Sequence, residues 1–246
     1  MTNSHPPDSH DREKSRAILS SPIVVIRSRV LAPLILVLLC GVASWAAKPA
    51  TVSFSLDFPN SVPDHYTISV TSDGHAHYAC TAKISDESED RDDYATDFTL
   101  SDATRAHIFE LASQAHYFSG KLDSGNHKLA FTGTKKLVYS DGQRNNSADY
   151  NYSPVPAVQQ LTTLFQNMAS TLEYGRRIVY EHRYQKLALD DELKRMEDQA
   201  RQGELGELQA VKPILQKVYD DASVMNVARA RAQRIMDLGD MPTAAH

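Results

Sequence analysis

From residue 51 the chain alternates between apolar and polar positions. Val52, Phe54, Leu56 and Phe58 fall at every second place through Thr51–Phe58, the signature of a half-buried strand. Pro59 and Pro63 bracket a loop, and Tyr66, Ile68 and Val70 repeat the alternation over Tyr66–Thr71. After Ser72-Asp73-Gly74, a third row holds Ala76, Tyr78, Cys80, Ala82 and Ile84 on one side. The facing of these rows decides the turn. A two-residue Asp73-Gly74 turn pairs Val70 with His77 and sets the apolar rows on opposite faces. A three-residue Ser72-Asp73-Gly74 loop pairs Val70 with Ala76 and Ile68 with Tyr78, on one face. Register follows the buried face, so the three-residue loop is predicted, with Gly74 left-handed. His75 and His77 then point to the other side, and Cys80 lies on the apolar one.

Residues 85–93, SDESEDRDD, read as an acidic loop, and Tyr94–Leu100 as a short strand. Ser101 suits a helix N-cap and Asp102 suits the positive end of the helix dipole. A helix is predicted from Asp102 to about Ala115, with Ile108, Leu111, Ala112 and Ala115 inward. The outline then repeats. Leu129 and Phe131 begin a strand region that Lys135–Ser140 extends. A two-residue Asp141-Gly142 turn aligns Leu137 and Tyr139 with Asn146 and Arg144, and further on with Ala148 and Tyr150. Pro154 and Pro156 open a helix in which Val158, Leu161, Leu164, Phe165, Met168 and Leu172 recur at helical spacing. The predicted class is α+β: an antiparallel sheet built from two hairpin-plus-helix units over residues 47–172, followed by an all-helical C-terminal segment over 173–246.

In that segment Glu173–Arg201 is rich in charge, with Ile178, Val179, Leu187, Leu189, Leu193 and Met196 interspersed and Gly203 as a C-cap. Leu205, Leu208, Val211, Leu215 and Val218 form a stripe that Pro213 should kink or restart. Val224, Val227, Ala228, Arg231 and Ile235 mark a last helix, ended by Gly239.

Upstream, Arg27 and Arg29 precede an uncharged stretch, Val30 to Ala47, reading VLAPLILVLLCGVASWAA. A basic flank, an apolar run and a small-residue exit at Ser44-Trp45-Ala46 are the parts of a secretory signal. Residues 1–46 are therefore an N-terminal signal peptide, or a signal-anchor in which residues 30–47 remain as a transmembrane helix. The protein is expected to be periplasmic or secreted, or held in the inner membrane by residues 30–47 with its C-terminal part outside the cytoplasm. A lipoprotein reading at Cys40 is opposed by Leu39, where a small residue is needed.

Composition sharpens the picture by exclusion. The chain carries 26 Lys+Arg against 31 Asp+Glu and only 2 Cys. Two cysteines rule out a disulfide scaffold and a four-thiolate metal site. The mildly acidic balance argues against nucleic acid as a partner. The acidity lies after residue 46, where 21 Lys+Arg meet 28 Asp+Glu.

Candidate chemistry is sparse. The acidic residues Asp86, Glu87, Glu89, Asp90, Asp92 and Asp93 lack the ordered spacing of a calcium loop. His75 and His77 share a strand face, but zinc needs a third ligand, and nothing in the sequence brings His65, His107, His116 or His127 near them. There is no Gly-x-Ser-x-Gly elbow, no His-Glu-x-x-His helix and no phosphate-binding glycine loop. Tyr139, Tyr150, Tyr152 and Arg144 suggest either a recognition patch or cross-strand packing. Arg176, Arg177, Arg183 and Lys186 suggest either a contact with anionic headgroups or a solvated face with pairs such as Glu173–Arg177. No catalytic, cofactor-binding or metal residue is assigned.

Two resemblances remain. LQAVKPILQKVYDDASVMNVARARAQRIMDLGD resembles a single HEAT-like helix pair, through Leu208, Pro213, Leu215, Asp221–Val224, Ala228, Ala232 and Ile235. FTLSDATRAHIFELASQAHYFSGKLDSG, LVYSDG, TLEYGRR and DDELKRM resemble uncharacterised exported bacterial proteins of unknown function, a likeness that implies no activity. The functional expectation is an exported, non-enzymatic envelope protein that binds another envelope protein through its helical C-terminal segment. The alternative is a secreted or periplasmic hydrolase with an unrecognised site.

Overall fold

A computed structural model describes residues 48–59, 61–83 and 91–240. They belong to one compact unit, Ala47–His246. The alternating segments form β1 (Thr51–Asp57), β2 (His65–Thr71), β3 (His75–Lys83), β4 (Arg91–Thr99), β5 (Thr134–Ser140) and β6 (Asn145–Tyr150). They build one six-stranded antiparallel sheet in the order β4-β3-β2-β1-β5-β6. The α+β class is therefore observed. The two hairpin units are fused because β1 pairs with β5, Phe54 standing opposite Leu137.

The first hairpin has the register that the apolar rows require, with Val70 opposite Ala76 and Ile68 opposite Tyr78. Gly74 takes φ +94°, a conformation that costs glycine little because it has no Cβ. The second hairpin differs from expectation. Tyr139 pairs with Asn146 and Leu137 with Ala148, which leaves a four-residue loop, Asp141–Arg144. Asp141 decides this: its carboxylate accepts the backbone N–H groups of Gln143 and Arg144 at 3.0 and 2.7 Å. A shift of two residues keeps the same faces inward, so alternation alone does not distinguish the two registers. The strand expected to begin at Leu129 starts instead at Thr134, and Leu129 and Phe131 lie exposed in the preceding loop.

Helix α1 (Asp102–Gln114) starts where Ser101 accepts the N–H of Thr104. It buries Ile108, Leu111 and Ala112. Helix α2 (Pro156–Tyr184) is 29 residues long and runs unbroken past residue 172. Its N-terminal half buries Val158, Leu161, Phe165 and Met168 on the sheet side, with Phe165 stacked 5.3 Å from Phe54. Helices α1 and α2 cover one face of the sheet and pack along each other. Helix α3 (Leu189–Gln202) ends at Gly203, φ +75°. Pro213 stands in the first turn of α4 (Lys212–Asp220), where a proline's missing N–H is tolerated, so it restarts the chain after a 3₁₀ turn at Leu208–Val211. The last helix, α5 (Asn226–Asp240), packs against α3 and α4, and Gly239 lies inside it. The HEAT-like hairpin thus rests on other helices of the chain.

The expectation of a transmembrane helix is corrected: among the described residues no helix is long and apolar enough to cross a membrane. Residues 30–47, on which the signal and anchor readings fall, lie outside the described residues, as do 84–90 of the acidic loop.

Candidate functional site

Where α2 crosses the ends of β1 and β2, the fold leaves a cleft of about 430 Å³. One wall is apolar: Leu56, Phe58, Val62, Pro63 and the ring of Tyr66. The other is a single face of α2, with Gln166, Ala169, Ser170, Glu173, Tyr174 and Arg177 at helical spacing, and Gln199 of α3 closes it. The loop is braced by Ser61, whose hydroxyl lies 2.7 Å from the carbonyl oxygens of both Phe58 and Pro63 and donates to one of them at a time.

The charged groups of the cleft are already engaged. Glu173 is buried. One carboxylate oxygen accepts the Tyr78 hydroxyl at 2.7 Å and the Cys80 thiol at 3.2 Å. The other oxygen accepts Arg176 Nε at 3.0 Å. Arg177 donates to Glu192, which is itself buried and also held by Arg195. Arg177 therefore pairs across to α3, and Glu173 takes Arg176 instead of the expected Arg177. Burial pushes the Cys80 thiol up to about 12, with the Glu173 charge adding to the effect. That thiol is an inert core group, as its place on the apolar strand face implies.

The neutral polar groups are not engaged. Tyr66 and Tyr174 are each 95% buried, yet neither hydroxyl has a hydrogen-bond partner among the described residues. Burial raises both phenols, so they stay protonated donors. Gln166, Ser170 and Gln199 likewise make no side-chain hydrogen bond among the described residues. Buried polar groups are normally satisfied. Among the described residues Glu181 Oε2 is the one buried polar side-chain atom without a hydrogen-bond partner, so the Tyr66 and Tyr174 hydroxyls, the half-buried Gln166 and Gln199 amides and the exposed Ser170 hydroxyl reach solvent through the cleft and are open to a ligand.

The residues singled out from sequence lie elsewhere. His77 is on the outer sheet face, where its Nδ1 meets Asp97 Oδ1 at 2.7 Å. Ser69 stands opposite His77 on the next strand, so β4, β3 and β2 carry Asp97, His77 and Ser69 in one row. No hydrogen bond joins His77 to Ser69 among the described residues. Strands β2 and β3, which carry Ser69 and His77, are interior, so their backbone N–H groups are committed to the ladders, while β4, which carries Asp97, is an edge strand. No group of three metal-ligating side chains occurs among the described residues, His75 and His77 included.

Tyr139 and Tyr150 are buried in sheet packing, while Tyr152 is half exposed. The Arg144 guanidinium stacks 4.2 Å from the Tyr117 ring, outside the expected trio. Lys186 is tied to Asp221, and Arg183 lies over Tyr184. Arg176 thus pairs within α2, Arg177 pairs with α3, and Lys186, just past the end of α2, pairs with Asp221, so three of these four cations are already matched by carboxylates.

No protein-family model and no curated protein matches this chain. The cleft itself went unread in the sequence, although one signal was present. Ala169 and Glu173 continue the i, i+4 row from Phe165, and a carboxylate in an apolar row needs buried partners.

Proposed function

We propose that this protein is an exported, non-enzymatic binding module that takes a small polar ligand into the cleft between the β1–β2 loop and α2. The observation that carries this reading is the division of labour among the cleft's polar groups: its ions are neutralised by one another, and its neutral donors and acceptors are unpartnered. A hydrolase needs a nucleophile or an activated water. Here the thiol is held protonated and the carboxylate already accepts three donors. Export rests on the basic flank and apolar run of residues 27–47. The test is a thermal-shift screen of small polar compounds against the full chain and Ser170→Trp, which fills the cleft mouth. Stabilisation of the parent and not of the variant supports the reading. Turnover of ester, amide or glycoside probes that survives Ser170→Trp overturns it.

A second reading places another envelope protein on the helical segment. Val179, Tyr180, Tyr184 and Leu187 are each exposed at or just past the end of α2, with the Tyr180 and Tyr184 rings in contact, and exposed apolar side chains in a patch favour association. Crosslinking of the full chain in envelope extracts tests it: a specific adduct lost in Leu187→Glu supports it, and an unchanged monomer removes it.

A further inference from the structure

We infer that the ligand of this cleft is an uncharged saccharide unit, of mono- or disaccharide size. The inference rests on the cleft being a ligand site at all, and adds the chemical class. Three features select that class. First, the cleft has no spare charge: Glu173 is saturated by Tyr78, Cys80 and Arg176, and Arg177 is drawn to Glu192. An anionic or cationic ligand would enter without a counter-ion and lose its hydration. Second, the open groups are of mixed sense. Tyr66 and Tyr174 offer phenol hydroxyls that reach the cleft from largely buried rings, and the Gln166 and Gln199 amides and the Ser170 hydroxyl each donate and accept. Vicinal hydroxyls, which also donate and accept, match such a set better than a ligand that only accepts. Third, the opposite wall is apolar and includes the edge-packed Phe58 ring, suited to the C–H face of a pyranose. The volume of about 430 Å³ lies within the range of small-ligand pockets, about 300–1,000 Å³.

The test is ligand-observed NMR on the full chain with four probe sets: glucose, N-acetylglucosamine, maltose and chitobiose; glucuronate and glucosamine; a blocked Ala-Ala dipeptide; and no ligand. Tyr66→Phe and Tyr174→Phe keep ring and packing and remove only the hydroxyl, and circular dichroism checks that each remains folded. The expected result is saturable binding of at least one neutral sugar, weakened about tenfold by either substitution, as for the loss of one good hydrogen bond. Glucuronate and glucosamine should bind more weakly than the neutral parents. If the dipeptide binds in a tyrosine-dependent way and no sugar does, the saccharide class is wrong and the cleft remains a binding site. If no probe is touched by either substitution, the saccharide class and the cleft reading both fall.

Discussion

The hydroxyl of Tyr78, on the third strand, donates to the carboxylate of Glu173, on α2, at 2.7 Å across 95 residues of sequence. Cys80 and Arg176 complete the same carboxylate, so one buried ion fastens the long helix to the sheet. Glu173→Ala strands the Arg176 guanidinium, only 13% exposed, and leaves two donors without an acceptor. The expected loss is about 3–5 kcal/mol, because breaking a buried pair from one side leaves an uncompensated charge. Tyr78→Phe should cost about 1.5–3 kcal/mol, the worth of one hydrogen bond to a charged group. Urea unfolding of both variants measures the ordering.

Cys80 should resist alkylation in the folded state. Its thiol is pushed up to about 12 by burial first and by Glu173 next, from an ordinary value of 9.0. The thiolate at neutral pH is then roughly a thousandfold scarcer than in an exposed cysteine, and the thiolate is the nucleophile. Iodoacetamide labelling followed by peptide mass mapping should show Cys80 modified only after denaturant is added.

Two carboxylates pull the pH dependence of stability in opposite ways. Glu181 is raised to about 7 by burial, with Glu192 as the next cause, and its Oε2 has no hydrogen-bond partner among the described residues. A raised carboxyl favours the protonated fold, so its contribution is full below about 4.5 and is lost as pH climbs through about 7. Glu197 is lowered to about 2, first by Arg234, so its contribution is full above about 4.5 and is lost as pH falls through about 2. Melting temperature should therefore drift down between pH 4.5 and 7, and Glu181→Gln should flatten that drift and leave the acid limb unchanged.

Gly175 lets the tail close onto α2. A Cβ there would come within 2.7 Å of Val211 Cγ1 and 3.2 Å of Ile214 Cδ1. Gly175 is helical, so alanine would be favourable by propensity alone. The clash should win, and Gly175→Ala is expected to cost about 1–3 kcal/mol by overpacking. Hydrogen exchange should quicken over Leu208–Asp220 before it changes in the sheet.

Some of this architecture is decided within a few residues of itself. The alternation of Tyr66–Val70 against Ala76–Cys80 sets the first hairpin, because slipping by one residue would turn every buried side chain to water. Ser101, Gly203 and Pro213 mark helix ends through their own backbone needs, and each stands where those needs are met. Periodicity, however, names a face and not its partner. It does not distinguish the register of the second hairpin from one two residues away, which Asp141 chooses through its side-chain bonds. Nor does it indicate that β1 joins β5 or that Glu207 caps α1 by accepting the N–H and hydroxyl of Ser101, 106 residues away. The cleft is the extreme case. Its walls come from Leu56, Tyr66, Tyr174 and Gln199, which share no local pattern and meet only because α2 crosses the sheet and α3 folds back along it. The sequence by itself determines the inward rows of the first hairpin and of α2; that Leu129 and Phe131 stay exposed, and which polar groups of the cleft are left without a partner, depends on distances that only the packed chain creates.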